Sequence, residues 1–397
     1  MTIAIYTLTS ELHDERAVGA VTQEFLNSLD IDYELKGSDY SDYGNASLDL
    51  IYVRTGGTEG IFKRLLPTLQ KKRPFYLLTS GKSNSLAASM EILSYLRQHD
   101  LKGEIIHGSA DYISRRINLL AKAGEALRVL QGCRLGIIGE PSDWLISSHA
   151  DKEAVRQRLG ISLIDIPMQE LLDTIAVTPL RETSEQATAD NIKEALPVAH
   201  QIYDALKTIV KKHELQGFTI RCFDLLTAVH NTGCLALAKL NAEGIVAGCE
   251  GDVPAMLSMK MAQSLVGVSG FQANPASIDP ETGEMLFAHC TIPLNMVERY
   301  EFDTHFESGI GVGIRGYMKE GPVTIFKVSG DLTRSFIEEG ELVRNQAKTD
   351  LCRTQQVIRL AHPDRTAYFL SDPIGNHHII LPGHHQALLE ELLNSTN

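Results

Sequence analysis

The stretch Asn241-Ala-Glu-Gly-Ile-Val-Ala-Gly-Cys-Glu-Gly-Asp252 takes a short apolar run into a glycine and then presents two carboxylates, Glu250 and Asp252, two residues apart. A short apolar run bounded by glycines reads as a buried strand, here 244 to 249. Helical periodicity flanks it, over 232 to 243 before and near 253 to 266 after, which makes the stretch a strand-to-helix corner in a parallel sheet. Buried carboxylates without partners are expensive, so such a corner either caps the next helix or ligates a cation.

Upstream the same rhythm continues. A second α/β segment begins at Arg134-Leu-Gly-Ile-Ile-Gly139 and passes through a helical stretch, Asn191 to His213, to a strand at 217 to 223. The polar run Thr178 to Asp190 reads as an exposed connection within it. Nearer the N-terminus, Ile3 to Thr7, Leu48 to Val53, Phe75 to Thr79 and Glu104 to His107 read as strands, each followed by a helix candidate. The clearest helix is Ser85 to His99, with Leu86, Met90, Leu93 and Leu96 on one face and Ser83 to Ser85 offering caps. Downstream of Ser269, Pro, Gly and Asp punctuate β-rich runs such as Met285 to His289, Val323 to Val328 and Gln356 to Leu360, and helical periodicity returns only at Gln386. The pattern predicts an α/β protein with two parallel-sheet domains, 1–131 and 132–267, followed by an antiparallel β-barrel-like domain, 268–397. We find no internal repeat and no low-complexity segment.

A chain of 397 residues exceeds what one hydrophobic core usually serves. Its 43% apolar and 22% charged residues are those of an ordinary globular protein. With 37 Lys+Arg against 50 Asp+Glu the net charge is −13, and no basic run is segregated, which excludes nucleic acid and anionic membrane surfaces as expected partners. The cysteines at 133, 222, 234, 249, 290 and 352 are widely spaced and form no C-x-x-C pair, which argues against a disulfide framework or a Cys-based zinc site. The start, Met-Thr-Ile-Ala-Ile, enters a strand pattern without a basic n-region, and no apolar stretch is long enough to span a bilayer. A cytoplasmic location is expected.

Gly311-Val-Gly-Ile-Arg-Gly316 matches a dinucleotide fingerprint on paper, but it precedes a strand instead of opening a helix. Gly81-Lys-Ser83 has Tyr76 where a phosphate loop needs glycine and reads as a helix-cap loop. Arg54-Thr-Gly-Gly-Thr-Glu59 and Glu140-Pro-Ser-Asp-Trp144 each follow a strand, where the carboxyl ends of a parallel sheet commonly meet ligands. Both segments are also compatible with simple turns or packing. Trp144, the only tryptophan, offers a flat apolar face of the kind on which a sugar ring rests. Pro373-Ile-Gly-Asn-His-His-Ile-Ile-Leu-Pro382 sets two histidines in an apolar strand, so alternation turns one imidazole to each side. Ala288-His289-Cys290 ends another β run, and a His with a carboxylate and oxygen donors suits a borderline to hard divalent ion.

A Glu at a glycine-flanked corner, a His closing a strand about 40 residues later and a Gly-x-His-His near the C-terminus resemble, in order and spacing, the metal site of the L-fucose and L-arabinose isomerase family. The resemblance covers residues 215 to 382, including Thr219-Ile-Arg-Cys-Phe-Asp and Gly233-Cys-Leu-Ala-Leu-Ala-Lys-Leu. It implies Mn²⁺-dependent aldose–ketose interconversion in a homo-oligomer. Glu250 is then metal ligand and acid/base, His378 a ligand with His377 the packing member of the pair, and His289 a further ligand. Arg54, Glu59, Trp144 and Asp252 stand as candidate sugar contacts. Where the family usually has a second acidic ligand, this chain has Asn274, within Gly270-Phe-Gln-Ala-Asn-Pro275. Asparagine offers a carbonyl oxygen to a metal but cannot take up a proton as a base. Asp279 as the displaced carboxylate, proton transfer by Glu250 with a water, a binding or regulatory protein without isomerase chemistry, and another sugar reaction such as epimerisation all remain open.

Overall fold

The computed structural model describes residues 1–70, 73–182, 185, 187 and 189–396. They fall into two compact units, Met1–Arg128 with Glu391–Asn397, and Val129–Glu390. In the first, β1 (Ile3–Leu8), α1 (Glu15–Asn27), β2 (Glu34–Gly37), β3 (Leu48–Val53), α2 (Glu59–Leu65), β4 (Phe75–Leu78), α3 (Ser85–Gln98), β5 (Gly103–Ile106) and α4 (Ala110–Leu130) follow one another. The five strands are parallel, in the order β2-β1-β3-β4-β5. Every residue of β1, β3 and β4 is buried, as expected of central strands covered by helices on both faces.

The helix predicted at Ser85 to His99 is α3, but its inward stripe differs from the one read from the sequence. Ser85, Ala88, Ser89, Ile92 and Leu96 are buried, whereas Met90 is 57% exposed. Small residues at 88 and 89 let the helix backbone approach the sheet, so Ile92 faces the core in place of Met90. Nor does a side chain cap this helix: Asn84 holds the N-cap position in a left-handed conformation without a capping bond.

The second unit opens with β6 (Arg134–Ile138), α5 (Lys152–Leu159), β7 (Ser162–Ile166), α6 (Met168–Val177), α7 (Asp190–Lys212), β8 (Gly217–Ile220), α8 (Asp224–Ala228), α9 (Cys234–Ala242), β9 (Val246–Gly248) and α10 (Val253–Val266). Its parallel sheet runs β7-β6-β8-β9. The connection expected at Thr178 to Asp190 lies partly outside the described residues, at 183, 184, 186 and 188.

There follow β10 (Phe271–Ile278), β11 (Glu284–His289), β12 (Arg299–Asp303), β13 (Gly313–Tyr317), β14 (Gly321–Val328), β15 (Ser335–Gln346), β16 (Thr354–Leu360), α11 (Thr366–Ser371), β17 (His378–Pro382) and α12 (Gln386–Thr396). Residues of α12 from Glu391 onward belong to the first unit. Six strands, β10-β11-β16-β15-β14-β17, close into an antiparallel barrel, while β12 and β13 pair as a separate ribbon. The glycines at 313 and 316 therefore sit within a strand.

Alternation organises the barrel core. Phe271 and Ala273, Met285 and Phe287, Val323 and Ile325, and Ile358 and Leu360 join one buried cluster with Ile192, Leu196 and Leu235 from α7 and α9. Burial of each large apolar side chain contributes ~1.5–3 kcal/mol. Helix α10 is buried on all sides over Val253 to Ala262 and packs against β8, β9, β14 and β17. It ties the second sheet to the barrel, so the corner that precedes it lies at their junction. Among the described residues no helix is long and apolar enough to cross a membrane.

Candidate metal centre

The corner read from the sequence is built by backbone bonds on every side. Gly251 N–H donates to Ile220 O at 2.9 Å, Ser142 N–H to Glu250 O at 2.9 Å, and Asp252 N–H to Cys249 O at 3.2 Å. These bonds hold Glu250 at φ +62° and Gly251 at φ +72°. Glycine is required at 251, since a Cβ there would lie 2.6 Å from Glu140 O and 2.7 Å from Pro141 Cα. A left-handed glutamate costs of order 1 kcal/mol, a strain that characteristically persists where a side chain must be aimed.

Three neighbouring barrel strands supply the opposing groups. In the order β17-β10-β11, the pair Ala273↔His378 continues by one antiparallel step to set His377 opposite Asn274, while His289 closes β11 beside it. The Nε2 atoms of His289 and His377 lie 3.5 and 3.6 Å from Glu250 Oε1, and the two rings are 5.3 Å apart. Among the described residues, Glu250, His289 and His377 form the one group of three that could share a metal ion.

The alternation expected of His377 and His378 holds, in the opposite register from the expected one. His377 faces Glu250, whereas His378 accepts or donates through Nε2 to Tyr368 Oη at 3.0 Å and packs against Phe336, Tyr368 and Phe369. The physical reason lies in the barrel: residue 378 shares the parity of Ile380, which faces the aromatic and aliphatic core. Burial and the nearby Lys327 ammonium push the His378 imidazole down to about 3, keeping it neutral.

Behind His377 stands a buried chain of charges. Its Nδ1 is 2.9 Å from Asp252 Oδ2, and both Asp252 oxygens lie 3.4 Å from Lys327 Nζ. Asp252 Oδ1 also accepts the Ala255 N–H at 2.8 Å, so this carboxylate both caps α10 and orients the imidazole. It is wholly buried and thus not itself a surface for sugar. Burial works against its ionisation, but Lys327 and His377 bring the Asp252 carboxyl down to about 2. For Glu250, too, burial opposes the charge, and the His377 and His289 imidazoles outweigh it, holding the carboxyl well below the usual range. Burial likewise opposes the His377 cation, yet Glu250 and Asp252 raise it to about 9. With its Nδ1 engaged by Asp252, His377 aims Nε2 at Glu250, and that atom has no hydrogen-bond partner.

Asn274 lines the same cavity, its Oδ1 buried and equally without a partner. Two orphaned polar atoms beside a carboxylate and a second imidazole make a donor set that suits a divalent cation. The remaining wall of this cavity includes Phe223, Thr232, His305 and Glu307.

Trp144 Nε1–H donates to Glu250 Oε2 at 2.7 Å, with its ring edge-on to Phe223 at 4.7 Å. Arg221 anchors the Trp144 loop through Asp143 and the Pro141 carbonyl, so the half-exposed indole is held over the carboxylate. Phe223 in turn meets His305, whose Nδ1 is 3.0 Å from Ser308 Oγ and whose imidazole burial pushes down. Asp279 is exposed and caps its own turn through the Glu281 and Thr282 amides, so the carboxylate is not displaced to that position.

Arg54 and Glu59 belong to the first unit. Arg54 is buried at the carboxyl end of β3, where it donates to Thr9, Thr22 and Glu15 and lines a cleft with Thr7, Ser38 and Tyr40. This cleft sits where β1 has neighbours of opposite sequence direction, the crevice such sheets commonly use for ligands. Glu59 opens α2, half-buried.

Sequence reasoning missed His377 as the facing histidine, Lys327, His305 and Glu307. Lys327 alone left a trace, as one charge inside the apolar run Val323 to Val328.

Fold and site together define an α/β protein with a closed barrel and a buried carboxylate–imidazole centre at their junction. No family model matches the chain. It is similar to proteins named sulfoquinovose isomerase from Priestia aryabhattai, 24% identical over 262 residues covering 62% of this chain and 59% of the relative. Others come from Clostridium sp., 25% identical over 226 residues covering 54% and 49%, and from Alkalicoccus urumqiensis, 21% identical over 261 residues covering 62% and 59%. The chain thus spans about three fifths of the length of the first of these relatives. These relatives are named as isomerases of sulfoquinovose, and not of fucose or arabinose.

Proposed function

We propose that the chain is a metal-dependent aldose–ketose isomerase whose ion is held by Glu250, His289, His377 and the Asn274 carbonyl oxygen. The observation that carries the reading is the convergence of two imidazole Nε2 atoms within 3.6 Å of one Glu250 oxygen. This ligand assignment departs from the expected His378. Similarity to sulfoquinovose isomerases supports the reaction class.

A divalent ion held by these residues, with Mn²⁺ the expected one, would polarise the sugar carbonyl and steady negative charge on adjacent oxygens. Glu250, held ionised, takes the proton from the carbon beside the carbonyl and returns it to the neighbouring carbon. Trp144 N–H fixes the carboxylate that does so and offers the sugar a flat face. Asn274 orients without exchanging protons. His305, buried, neutral and on the cavity wall, moves the proton between the two oxygens. Arg54 and Glu59 are proposed as polar contacts of the substrate, and the enzyme as a cytoplasmic homo-oligomer.

The test is a panel of L-fucose, L-arabinose and sulfoquinovose, each with Mn²⁺, Co²⁺ or Mg²⁺, read by NMR of the products. Ketose formation is expected, and His305→Asn is expected to lower kcat by ~10²-fold or more while sugar affinity holds. Epimers in place of ketoses, or no conversion with any metal, sink the isomerase reading. Mn²⁺ at ~100 times its Kd is expected to add ~2.7 kcal/mol to stability, reversed by EDTA. His377→Ala should abolish that gain and His378→Phe retain it. The opposite result returns the ligand role to His378.

Asn274 favours a second reading, a sugar-binding protein without turnover. Bound sugar with no conversion, and turnover appearing in Asn274→Asp, would support it; robust turnover by the native chain excludes it.

A further inference from the structure

All six cysteines are free thiols, yet five of them, Cys222, Cys234, Cys249, Cys290 and Cys352, line the cavity that holds Glu250 and Asn274. Their wide spacing in sequence conceals this convergence. The parallel sheet brings the first two together: β8 and β9 pair in register at Thr219↔Gly248, so the residues just past each strand end meet. Cys222 Sγ lies 3.0 Å from Cys249 Sγ, ~1 Å beyond the 2.05 Å of a disulfide bond. No set of three thiols comes close enough among the described residues to share an ion, so the arrangement is that of a dithiol and not of a soft-metal site.

We propose that Cys222 and Cys249 are a reversible oxidation site, closing to a disulfide when a peroxide enters the cavity. The peroxide oxidises the Cys222 thiol to a sulfenic acid and is itself reduced, one oxygen passing to sulfur and the other leaving as water. The Cys249 sulfur then attacks that sulfur, the S–S bond forms, the S–O bond breaks, and a second water departs with the Cys249 proton. In sum two thiols and one hydrogen peroxide yield one disulfide and two waters, and an added thiol reductant reverses the change.

The bond acts where the centre is aimed. The Cys249 N–H donates to Gln272 Oε1 at 2.9 Å and its carbonyl accepts from Gln272 Nε2 at 3.2 Å, so the residue before Glu250 is pinned between β9 and the barrel. Drawing its sulfur ~1 Å toward Cys222 pulls on the corner that presents Glu250. The effect on turnover rests on the isomerase reading, whereas the cross-link does not.

The full chain, reduced and then treated with hydrogen peroxide, is digested without reductant and examined by mass spectrometry. The expected product is a peptide containing residue 222 joined to one containing residue 249, two hydrogens lighter than the pair and separated by dithiothreitol. Cys222→Ser and Cys249→Ser should each lose it, and Cys352→Ser should keep it. If the native enzyme turns over sugar, peroxide should lower its rate about tenfold or more, reversibly, and the ratio of oxidised to reduced rate should return to one in Cys222→Ser. Free thiols at 222 and 249 after peroxide, or a bond only between Cys290 and Cys352, overturn the proposal. An inactive native protein that still forms the 222–249 bond overturns the isomerase reading and leaves the oxidation site standing.

Discussion

Glu250→Gln is expected to lower kcat/KM by ~10³-fold or more while the protein remains folded, because the substitution removes a charge and a base without removing volume. Glutamine keeps an oxygen for the Trp144 N–H at the place where Glu250 Oε2 now accepts it. It cannot take up a proton, and it leaves the His289 and His377 imidazoles without the carboxylate that faces both. Metal affinity should therefore weaken as well, which calorimetric titration with Mn²⁺ would read alongside the rate. A variant retaining a tenth of native turnover would move the proton transfer to another residue, His305 first.

The largest loss of stability is expected from Lys327→Met. Lys327 is buried, and it neutralises Asp252, which is buried as well. Replacing only the lysine leaves an aspartate whose remaining partners are the His377 ring and the α10 amide, and breaking a buried pair by removing one member costs ~3–5 kcal/mol. For a unit of this size that corresponds to a fall in Tm of roughly 10 °C. The double variant Lys327→Met, Asp252→Asn keeps the cap and a hydrogen bond to His377 but buries no charge, so it should recover part of the loss. Denaturant unfolding of the single and double variants decides: a single variant as stable as native means that Asp252 is not desolvated by its surroundings.

Much of the architecture was legible because hydrophobic period and turn residues are local. The alternation at Met285 to His289 and Val323 to Val328 marked barrel strands, and the glycines around Glu250 marked the corner. What failed was information that no local pattern carries. Alternation says that His377 and His378 face opposite ways, but not which way the barrel core lies, and that is set by pairing with β10 and β14. Met90 and Ile92 are equally apolar in the sequence, and only the close approach allowed by Ala88 selects Ile92. His305 and Glu307 lie in the loop between β12 and β13, without a motif, and enter the cavity through tertiary packing alone. The five thiols come from loops and from the start of α9, spread along the chain from 222 to 352, and no spacing rule unites them.

The left-handed backbone at Glu250 sets heredity against folding at one codon. The main chain there is easiest for glycine or asparagine, and only the chemistry argues for a longer acid. A descendant relieved of its reaction would gain by abandoning the glutamate, so this position, more than the packed strands around it, records whether selection still asks the protein to work.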